Sequence, residues 1–416
     1  MEKKTLIATI SVFPAACLLL GLMLEGPAAA AVGLGRIIVS PSILLHDYLA
    51  VGGLAATLVN AGLCGLICCL MILLLKIELN GPFIAAVYTV IGFAFFGKNI
   101  LNIWPIFMGV KLYAMVQQVP FKNYALVAFF GTTLGPLFSA VAFGDWMNGP
   151  AALATAVFFG VAAGFVLPPL ASHMLRFHDG YNIYNIGFTG GIIGSFLTAV
   201  LRSFSFSVTS ASELSGDYHR FFFYFFLISF SAMILSGLFG DLRRKRRMIR
   251  SLRKIYASSG RLVSDFVRIG DLPSTLVNMG IMGYISSAFV LLLGGAFNGP
   301  VIGGILTVVG FAAFGKHPRN TLPVLVGVYI ASLLKIWSGG STGVIIAGLF
   351  GTTLAPIAGQ YGMLAGVAAG FFHLSIVMNV GVLHGGVNLY NNGFAGGFVA
   401  SFLVPIFDAF KRNKES

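Results

Sequence analysis

The sequence has few charged residues, and acidic residues are the scarcest of them. Only 9% of its 416 residues are charged, against roughly a quarter in soluble domains, while 57% are hydrophobic. A chain this apolar would leave much hydrophobic surface in water, so the composition excludes an ordinary soluble domain and predicts a chain immersed in lipid. We therefore expect an all-α polytopic membrane protein.

The thirteen Asp and Glu residues avoid the middles of the apolar segments. They lie near segment ends or in connections, as Glu78, Asp145, Asp179, Asp217 and Asp271 do. Cation-coupled pumps usually place carboxylates inside their spans, so this distribution favours a neutral or anionic solute over a cation.

Three lysines, Lys98, Lys111 and Lys316, lie within or beside apolar segments. Long basic side chains near the ends of spans usually extend to the headgroups, and this is the interpretation that we favour for all three. A position beside a solute pathway is the alternative.

Cysteine is also scarce, and metal-binding or catalytic patterns are missing from the sequence. The four cysteines lie in apolar runs and have no second cluster to complete a zinc site. The sequence contains no His/Glu metal motif and no acid pair to supply catalysis. We therefore predict no cofactor, no metal site and no enzymatic activity.

Basic residues outnumber acidic ones and give a net charge of +13. Nine of the 26 Lys and Arg residues fall between Arg243 and Arg261. A single basic loop beside a span acts as a topology determinant near anionic lipid, so we expect membrane lipids and not nucleic acid as partners.

One stretch occurs twice without a gap, at 80–98 and at 298–316. Asn80 and Asn298 differ by 218 positions, and six apolar segments recur in the same order after an additional span in each half. A self-match this close indicates an internal duplication. We therefore divide the chain into halves, 1–210 and 211–416, with about 14 membrane segments, some of which could be re-entrant half-helices.

Charge asymmetry predicts the orientation of these segments. With both termini and the basic loop 242–261 in the cytoplasm, twenty Lys and Arg residues lie inside and four outside. The repeated segments then start on opposite sides, so the halves form inverted-topology repeats, which are typical of secondary transporters. Fourteen crossings, or ten with two re-entrant segments per half, both satisfy this parity. We expect the first apolar run to be retained, with cleavage after Ala28–Ala30 as the alternative.

The Asn-Gly-Pro sequences at the start of the duplicated stretch predict helix N-termini, because Asn suits the cap and Pro the first turn. A short helix that begins inside the membrane directs free N–H groups at a solute. We expect the two helices to point toward one shared centre, with an ordinary surface turn as the alternative. The candidate solute-binding residues here are Asn80, Gly81, Asn298 and Gly299.

Paired hydroxyls precede a proline in one span of each half. Pro frees a backbone carbonyl that Thr can bond, so we favour self-satisfaction of the kink over a polar slot that binds solute. The residues concerned are Thr132, Thr133, Thr352 and Thr353.

The most polar patch on the repeated spans also occurs in both halves. His, Tyr and amide groups bind solutes through uncharged hydrogen bonds, and this interpretation is favoured over a connection in which amides join two helices. The candidate residues are His178, Asn182, Tyr184 and Asn185 in the first half and His384, Asn388, Tyr390 and Asn391 in the second.

The chain resembles a duplicated family of bacterial multispanning membrane proteins of unknown function. It is more weakly similar to the urea transporters, whose inverted halves each carry an Asn-Pro segment and a later Gly-Tyr-Asn segment. The nearest counterparts here are the Asn-Gly-Pro sequences, which contain an additional Gly, together with the Tyr-Asn pairs at 184–185 and 390–391. This likeness implies an architecture and no substrate.

The sequence therefore predicts a transporter or channel-like facilitator for a small polar neutral or anionic solute, in a bacterial cytoplasmic membrane. An intramembrane enzyme or biosynthetic subunit acting on a lipid-linked substrate is one alternative, and a membrane scaffold is another. A homo-oligomer is left open.

Overall fold

The computed structural model describes residues 3–207, 214–239 and 245–415. Within these ranges the regular elements are helices, apart from one isolated antiparallel bridge between Asp47 and Phe96. The predicted all-α architecture is confirmed. The helices of the first half are α1 (Lys3–Leu24), α2 (Gly26–Ile38), α3 (Tyr48–Leu74), α4 (Gly81–Phe93), α5 (Trp104–Val116), α6 (Ala125–Gly131), α7 (Gly135–Phe143), α8 (Gly149–Phe177) and α9 (Asn185–Arg202).

The second half repeats this order. Helices α3, α4, α5, α8 and α9 correspond to α13, α14, α15, α18 and α19, and the broken span α6–α7 corresponds to α16–α17. The ranges are α10 (His219–Phe239), α11 (Lys245–Ala257), α12 (Phe266–Ile269), α13 (Leu272–Leu292), α14 (Gly299–Phe311), α15 (Pro318–Leu334), α16 (Thr342–Gly351), α17 (Ala355–Tyr361), α18 (Met363–His384) and α19 (Asn391–Glu415).

Nine helical stretches in the described part of the chain are long and apolar enough to cross a membrane. The protein is therefore a multi-pass membrane protein. Helices α4, α5 and α14 have 13 residues each, which is about 20 Å of helix against a hydrocarbon core of about 30 Å. Two of them, α4 and α14, are the Asn-Gly-Pro segments, which are already too short for an ordinary crossing in the sequence.

Helices α4 and α14 form the centre of the molecule, and every residue of both is buried. A Cβ built on Gly92 would lie 2.8 Å from the carbonyl oxygen of Gly303, and one built on Gly310 would lie 3.0 Å from that of Ala85. The sequence numbers rise on one helix as they fall on the other, so the two helices run antiparallel. Glycine is needed at this contact because a side chain would separate the backbones.

The basic segment 242–261, predicted as a loop, is instead helical over Lys245–Ala257, and only 258–261 have the predicted loop structure. Helix α11 presents Met248 and Ile255 to the protein, while Arg247, Arg250 and Arg253 are exposed. Alternation of basic and apolar residues at helical spacing gives it one apolar and one charged face. Residues 242–244 of the predicted loop lie outside the described residues.

Candidate functional site

The Asn-Gly-Pro sequences form helix N-termini, as predicted. The side-chain oxygen of Asn80 accepts a hydrogen bond from the N–H of Phe83 at 3.2 Å, and that of Asn298 accepts one from Val301 at 3.1 Å. Each Asn caps its own helix, and Asn298 also donates to Thr342 at 2.8 Å. The capping accounts for these side chains without a solute, and their role in solute binding stays a prediction.

A carboxylate from the opposite half lies in front of each of these helices. The N–H of Gly81 donates to Asp265 Oδ1 at 3.0 Å, and a Cβ built on Gly299 would lie 2.4 Å from Asp47 Oδ1. Asp47 also caps α3, where it accepts from the N–H of Leu49 at 2.9 Å. The helix termini therefore face protein carboxylates, so the expectation that they direct free N–H groups at a solute is wrong.

The two helices start at opposite ends of an antiparallel pair, and the expectation that they point toward one shared centre stays a prediction. A Cβ built on Gly81 would lie 2.1 Å from the carbonyl oxygen of Ala313, and one built on Gly299 would lie 2.4 Å from that of Phe95. Each N-terminus therefore lies beside the C-terminal end of the other helix. About 20 Å of helix separates the two termini.

In each threonine pair, the first hydroxyl bonds within its own span and the second bonds the opposite half. Thr132 and Thr352 donate to the carbonyl oxygens of Phe129 and Leu349, at 2.6 and 2.5 Å. These are not the carbonyls that the prolines leave free, so self-satisfaction of the kink stays a prediction. Thr133 instead donates to Asn388 Oδ1 at 3.0 Å, and Thr353 donates to Asn182 Oδ1 at 2.5 Å. The second threonine of each pair thus joins the two halves.

The loop that precedes α9 and the one that precedes α19 are held by the opposite half. The N–H of Tyr184 donates to Thr353 Oγ1 at 3.0 Å, and the N–H of Tyr390 donates to Thr133 Oγ1 at 2.9 Å. Asn182 also donates to the carbonyl of Gly393 at 2.8 Å, and Asn388 donates to that of Gly187 at 3.1 Å. We call this reciprocal set of bonds, centred on Thr133, Thr353, Asn182 and Asn388, the interlock.

The histidines of the repeated polar patch stabilise a helix connection. His178 Nε2 lies 3.1 Å from Asn185 Oδ1, and His384 Nε2 lies 2.9 Å from Asn391 Oδ1. The amide nitrogen of Asn185 donates to Ala171 at 2.9 Å, and that of Asn391 donates to Val377 at 3.1 Å. The contacts of these four residues are those of the alternative in which amides join two helices.

Two tyrosines from the repeated patch meet between the halves. The ring centroids of Tyr184 and Tyr390 are 4.8 Å apart, and both side chains are almost fully buried. Tyr184 packs edge-on against Phe311 at 4.6 Å, and Tyr390 packs against Phe93 at 4.7 Å. Equivalent residues of the duplication therefore surround one aromatic centre.

Two lysines flank this aromatic centre, and both are fully buried. Lys316 Nζ donates to the hydroxyl of Tyr184 and, at 2.6 Å, to that of Thr352. The favoured interpretation that Lys98 and Lys316 reach the headgroups is therefore wrong, whereas Lys111 is exposed and agrees with it. A signal for the difference is present in the sequence, because Lys98 and Lys316 end both copies of the duplicated stretch and Lys111 has no such partner.

A pocket of about 230 Å³ adjoins Tyr184 and Tyr390. Its wall is largely apolar, and the side chains of Ser172 and Asn185 add hydroxyl and amide groups. It is smaller than the roughly 300–1,000 Å³ typical of sites for drug-sized ligands, so it suits a small solute. Both halves contribute to its wall, with Leu126, Val127, Phe130, Ala171, Leu175 and 183–187 from the first and Leu262, Val263, Phe311, Phe314 and Tyr390 from the second.

Residues 27–203 and 244–409 match the model of a family described as protein of unknown function (DUF1576). The chain belongs to this family. The match consists of two segments, one in each half, which agrees with the internal duplication. No curated protein and no solved structure matches the chain, so the likeness to urea transporters stays a prediction.

Beside the apolar pocket of this DUF1576 protein, the side-chain nitrogen of Lys316 lies behind Tyr184 and bonds its hydroxyl. A buried ammonium bonded to a phenol polarises the phenol O–H, which makes it a stronger hydrogen-bond donor.

Proposed function

We propose that the protein carries a small polar solute, neutral or anionic, across the membrane through a site between its two halves. The observation that carries the proposal is the buried Lys316–Tyr184–Thr352 cluster beside a pocket lined by both halves. An ionisable group held inside a membrane protein usually marks a substrate or ion pathway.

The electrostatics of the cluster support an anion or a neutral acceptor. Among the described residues, the buried side chains with a formal charge are Asp47, Lys98 and Lys316. The ion pairs found there involve Arg247 and Arg268, and neither buried lysine takes part in one. A buried cation without a carboxylate partner attracts solutes that are rich in electrons and repels cations.

The arrangement of α4 and α14 supports inverted halves, since equivalent helices run antiparallel at the centre. We infer ten crossings, because the nine long apolar stretches together with α9, the 18-residue counterpart of α19, give five per half. Helices α4–α5 and α14–α15 would then be the re-entrant pairs.

Charge places the two ends of this arrangement on opposite sides of the membrane. Arg268 pairs with Glu78 at 3.5 Å, which joins the region after α11 to the start of α4. With the positive residues inside, this end of the molecule and both termini lie in the cytoplasm. Lys316 then lies near the cytoplasmic side and Lys98 near the outer side of a bacterial cytoplasmic membrane.

We further infer that the protein is not an enzyme and that its partners are the solute and the surrounding lipid. The described residues contain no group of three metal-binding side chains, and transport requires none. A homo-oligomer is compatible with this function and is not needed to complete the pocket.

Uptake into proteoliposomes tests the proposal directly. Purified protein is reconstituted and supplied with lactate, oxalate, nitrate, phosphate, urea and glycerol, with and without an imposed proton or sodium gradient. We expect uptake of at least one of these solutes. Failure of folded, reconstituted protein to take up any solute across this and a broader panel would refute the proposal.

Two lysine variants connect that uptake to the cluster. Lys316→Met removes the charge while keeping an apolar chain of similar length, and we expect it to reduce uptake at least tenfold. Lys111→Met is the matched control, because Lys111 is exposed on α5, and its uptake should match the wild type. Equal uptake by all three proteins would exclude Lys316 from the site.

A further inference from the structure

The backbone around Lys98 and that around Lys316 are held in the same way. Asn60 donates to the carbonyls of Ala94 at 2.8 Å and Lys98 at 2.9 Å. Asn278 donates to the equivalent carbonyls of Ala312 and Lys316, both at 2.8 Å. The two lysines are therefore structural equivalents, and the backbone at each is held by the same pair of asparagine hydrogen bonds.

The two ammonium groups nevertheless have different surroundings. Lys316 bonds to Tyr184 and Thr352, whereas Lys98 Nζ has no hydrogen-bond partner among the residues that the structure describes. Lys98 Nζ lies 5.2 Å from the centre of the Phe93 ring and within electrostatic range of Cys64 and Cys68. A buried donor without an acceptor loses the full free energy of its hydration, so this group requires an acceptor.

The duplication identifies the tyrosine that could complete the equivalent cluster. Tyr390 corresponds to Tyr184, but its hydroxyl donates to Thr89 at 3.2 Å. Thr132, which corresponds to Thr352, donates to the carbonyl of Phe129 at 2.6 Å. Thr352 donates to the carbonyl of Leu349 in the same way and still accepts from Lys316, so the difference between the two sets lies in Tyr390, which bonds Thr89 and not Lys98.

We propose that Lys98 and Lys316 are two equivalent binding stations for a small monoanion, which the solute occupies in turn; this rests on the proposed function. At any time one lysine is bonded to its tyrosine and the other binds the anion. Lys98 is the binding station in the arrangement described here. The rings of Tyr184 and Tyr390 are in contact, so a change of hydrogen-bond partner by one tyrosine directly affects the position of the other.

The surroundings of Lys98 restrict the size and charge of its ligand. Phe93, Cys64 and Cys68 offer little polar surface, so the anion is compact and receives its main hydrogen bonds from the ammonium. One positive charge balances one negative charge in a medium of low dielectric constant. A monocarboxylate or nitrate fits this description, whereas a dianion such as oxalate leaves one charge unbalanced.

The test compares uptake of lactate, nitrate, oxalate and urea by wild-type protein and by Lys98→Met. We expect Lys98→Met to reduce lactate or nitrate uptake at least tenfold, and we expect oxalate to be a poor substrate of the wild type. Lys98→Arg, which keeps the charge, should retain more uptake than Lys98→Met. Lys111→Met again serves as the control.

Folding can be separated from function, because Lys98→Met replaces an unpaired buried charge with an apolar chain. Its melting temperature should equal or exceed that of the wild type. If this variant does not fold, Lys98→Gln replaces it with the same expected loss of uptake.

The outcomes distinguish this inference from the proposed function. Wild-type uptake that Lys98→Met leaves unchanged while Lys316→Met abolishes it would overturn the second station and leave the transporter standing. Uptake of urea without uptake of any monoanion would likewise overturn the second station without refuting transport. Absence of all wild-type uptake would refute both.

Discussion

Two aspartates determine what the central helix termini face. Asp47 and Asp265 differ by 218 positions, the same spacing that relates Asn80 to Asn298. Each caps a helix of its own half and also lies against the first glycine of α4 or α14 in the other half. A carboxylate at a helix N-terminus is stabilised by the helix dipole, so this pair joins the halves electrostatically.

Replacing Asp265 with Ala is expected to lower the free energy of unfolding by about 1–3 kcal/mol, because α12 loses its cap and the N–H of Gly81 loses its acceptor. Asp145→Ala, a change at an exposed loop position, is the control and should have little effect. Denaturant unfolding in detergent measures both. Equal stability of the two variants would show that Asp265 makes no significant contribution.

At the scale of single residues, the sequence predicts capping better than burial. Asn80 and Asn298 cap helices as expected, because capping depends on a few neighbouring residues. Lys98 and Lys316 were expected to reach the headgroups, and their burial could not be derived locally because it depends on Tyr184 and Tyr390, which are distant in sequence. The spacing of 218 positions between Asp47 and Asp265 is the sequence signal for this pair.

The contact between α4 and α14 depends on small residues. A Cβ built on Gly303 would lie 2.3 Å from the ring of Phe96 and 2.8 Å from the carbonyl oxygen of Gly92. Neither distance is tolerated by a real side chain, so substitution would push the two helices apart. The elements that carry Lys98 and Lys316 would then move as well.

Gly303→Ala is expected to lower the free energy of unfolding by about 1–3 kcal/mol through overpacking. Gly35→Ala is the matched control, since a Cβ at this position on α2 meets nothing within 4 Å and alanine favours a helix. Thermal melting in detergent should therefore show a lower midpoint for the first variant and an unchanged or higher one for the second. A normal melting midpoint for Gly303→Ala would contradict the close packing of α4 and α14.

That the long apolar segments are helices could be predicted from the sequence, because a hydrophobic segment of this length has few other backbone structures open to it in lipid. The short α2, which contains Ala28–Ala30, was not recognised as a helix. The sequence predicts a loop where α11 forms, because the low hydrophobicity of this segment hides the regular spacing of Met248 and Ile255. The position of α2 depends on its packing against α3, and that of α11 depends on its packing against α13.

For the whole molecule, inverted halves make a prediction about sidedness. In a background without the four native cysteines, Arg250→Cys should react with a membrane-impermeant thiol reagent only from the cytoplasmic side. Asn148→Cys should react only from the outer side, since Asn148 is exposed at the other end of the molecule. Reaction of both from the same side would exclude the inverted arrangement.

The duplication and the number of segments could be recognised from the sequence, since both follow from repeated residues and hydropathy. The way in which the halves meet could not. The sequence aligns Thr133 with Thr353 and Asn182 with Asn388, but it does not show that each threonine bonds the asparagine of the other half. Such pairing depends on the three-dimensional relation between the repeats, which one sequence does not contain.

The interlock has a consequence for biosynthesis. Thr133 is translated 255 residues before its partner Asn388, and Asn182 is translated 171 residues before its partner Thr353. During that interval the first half resides in the bilayer with these polar groups awaiting their partners. The interlock therefore closes only after the segments that carry Thr353 and Asn388 have entered the membrane.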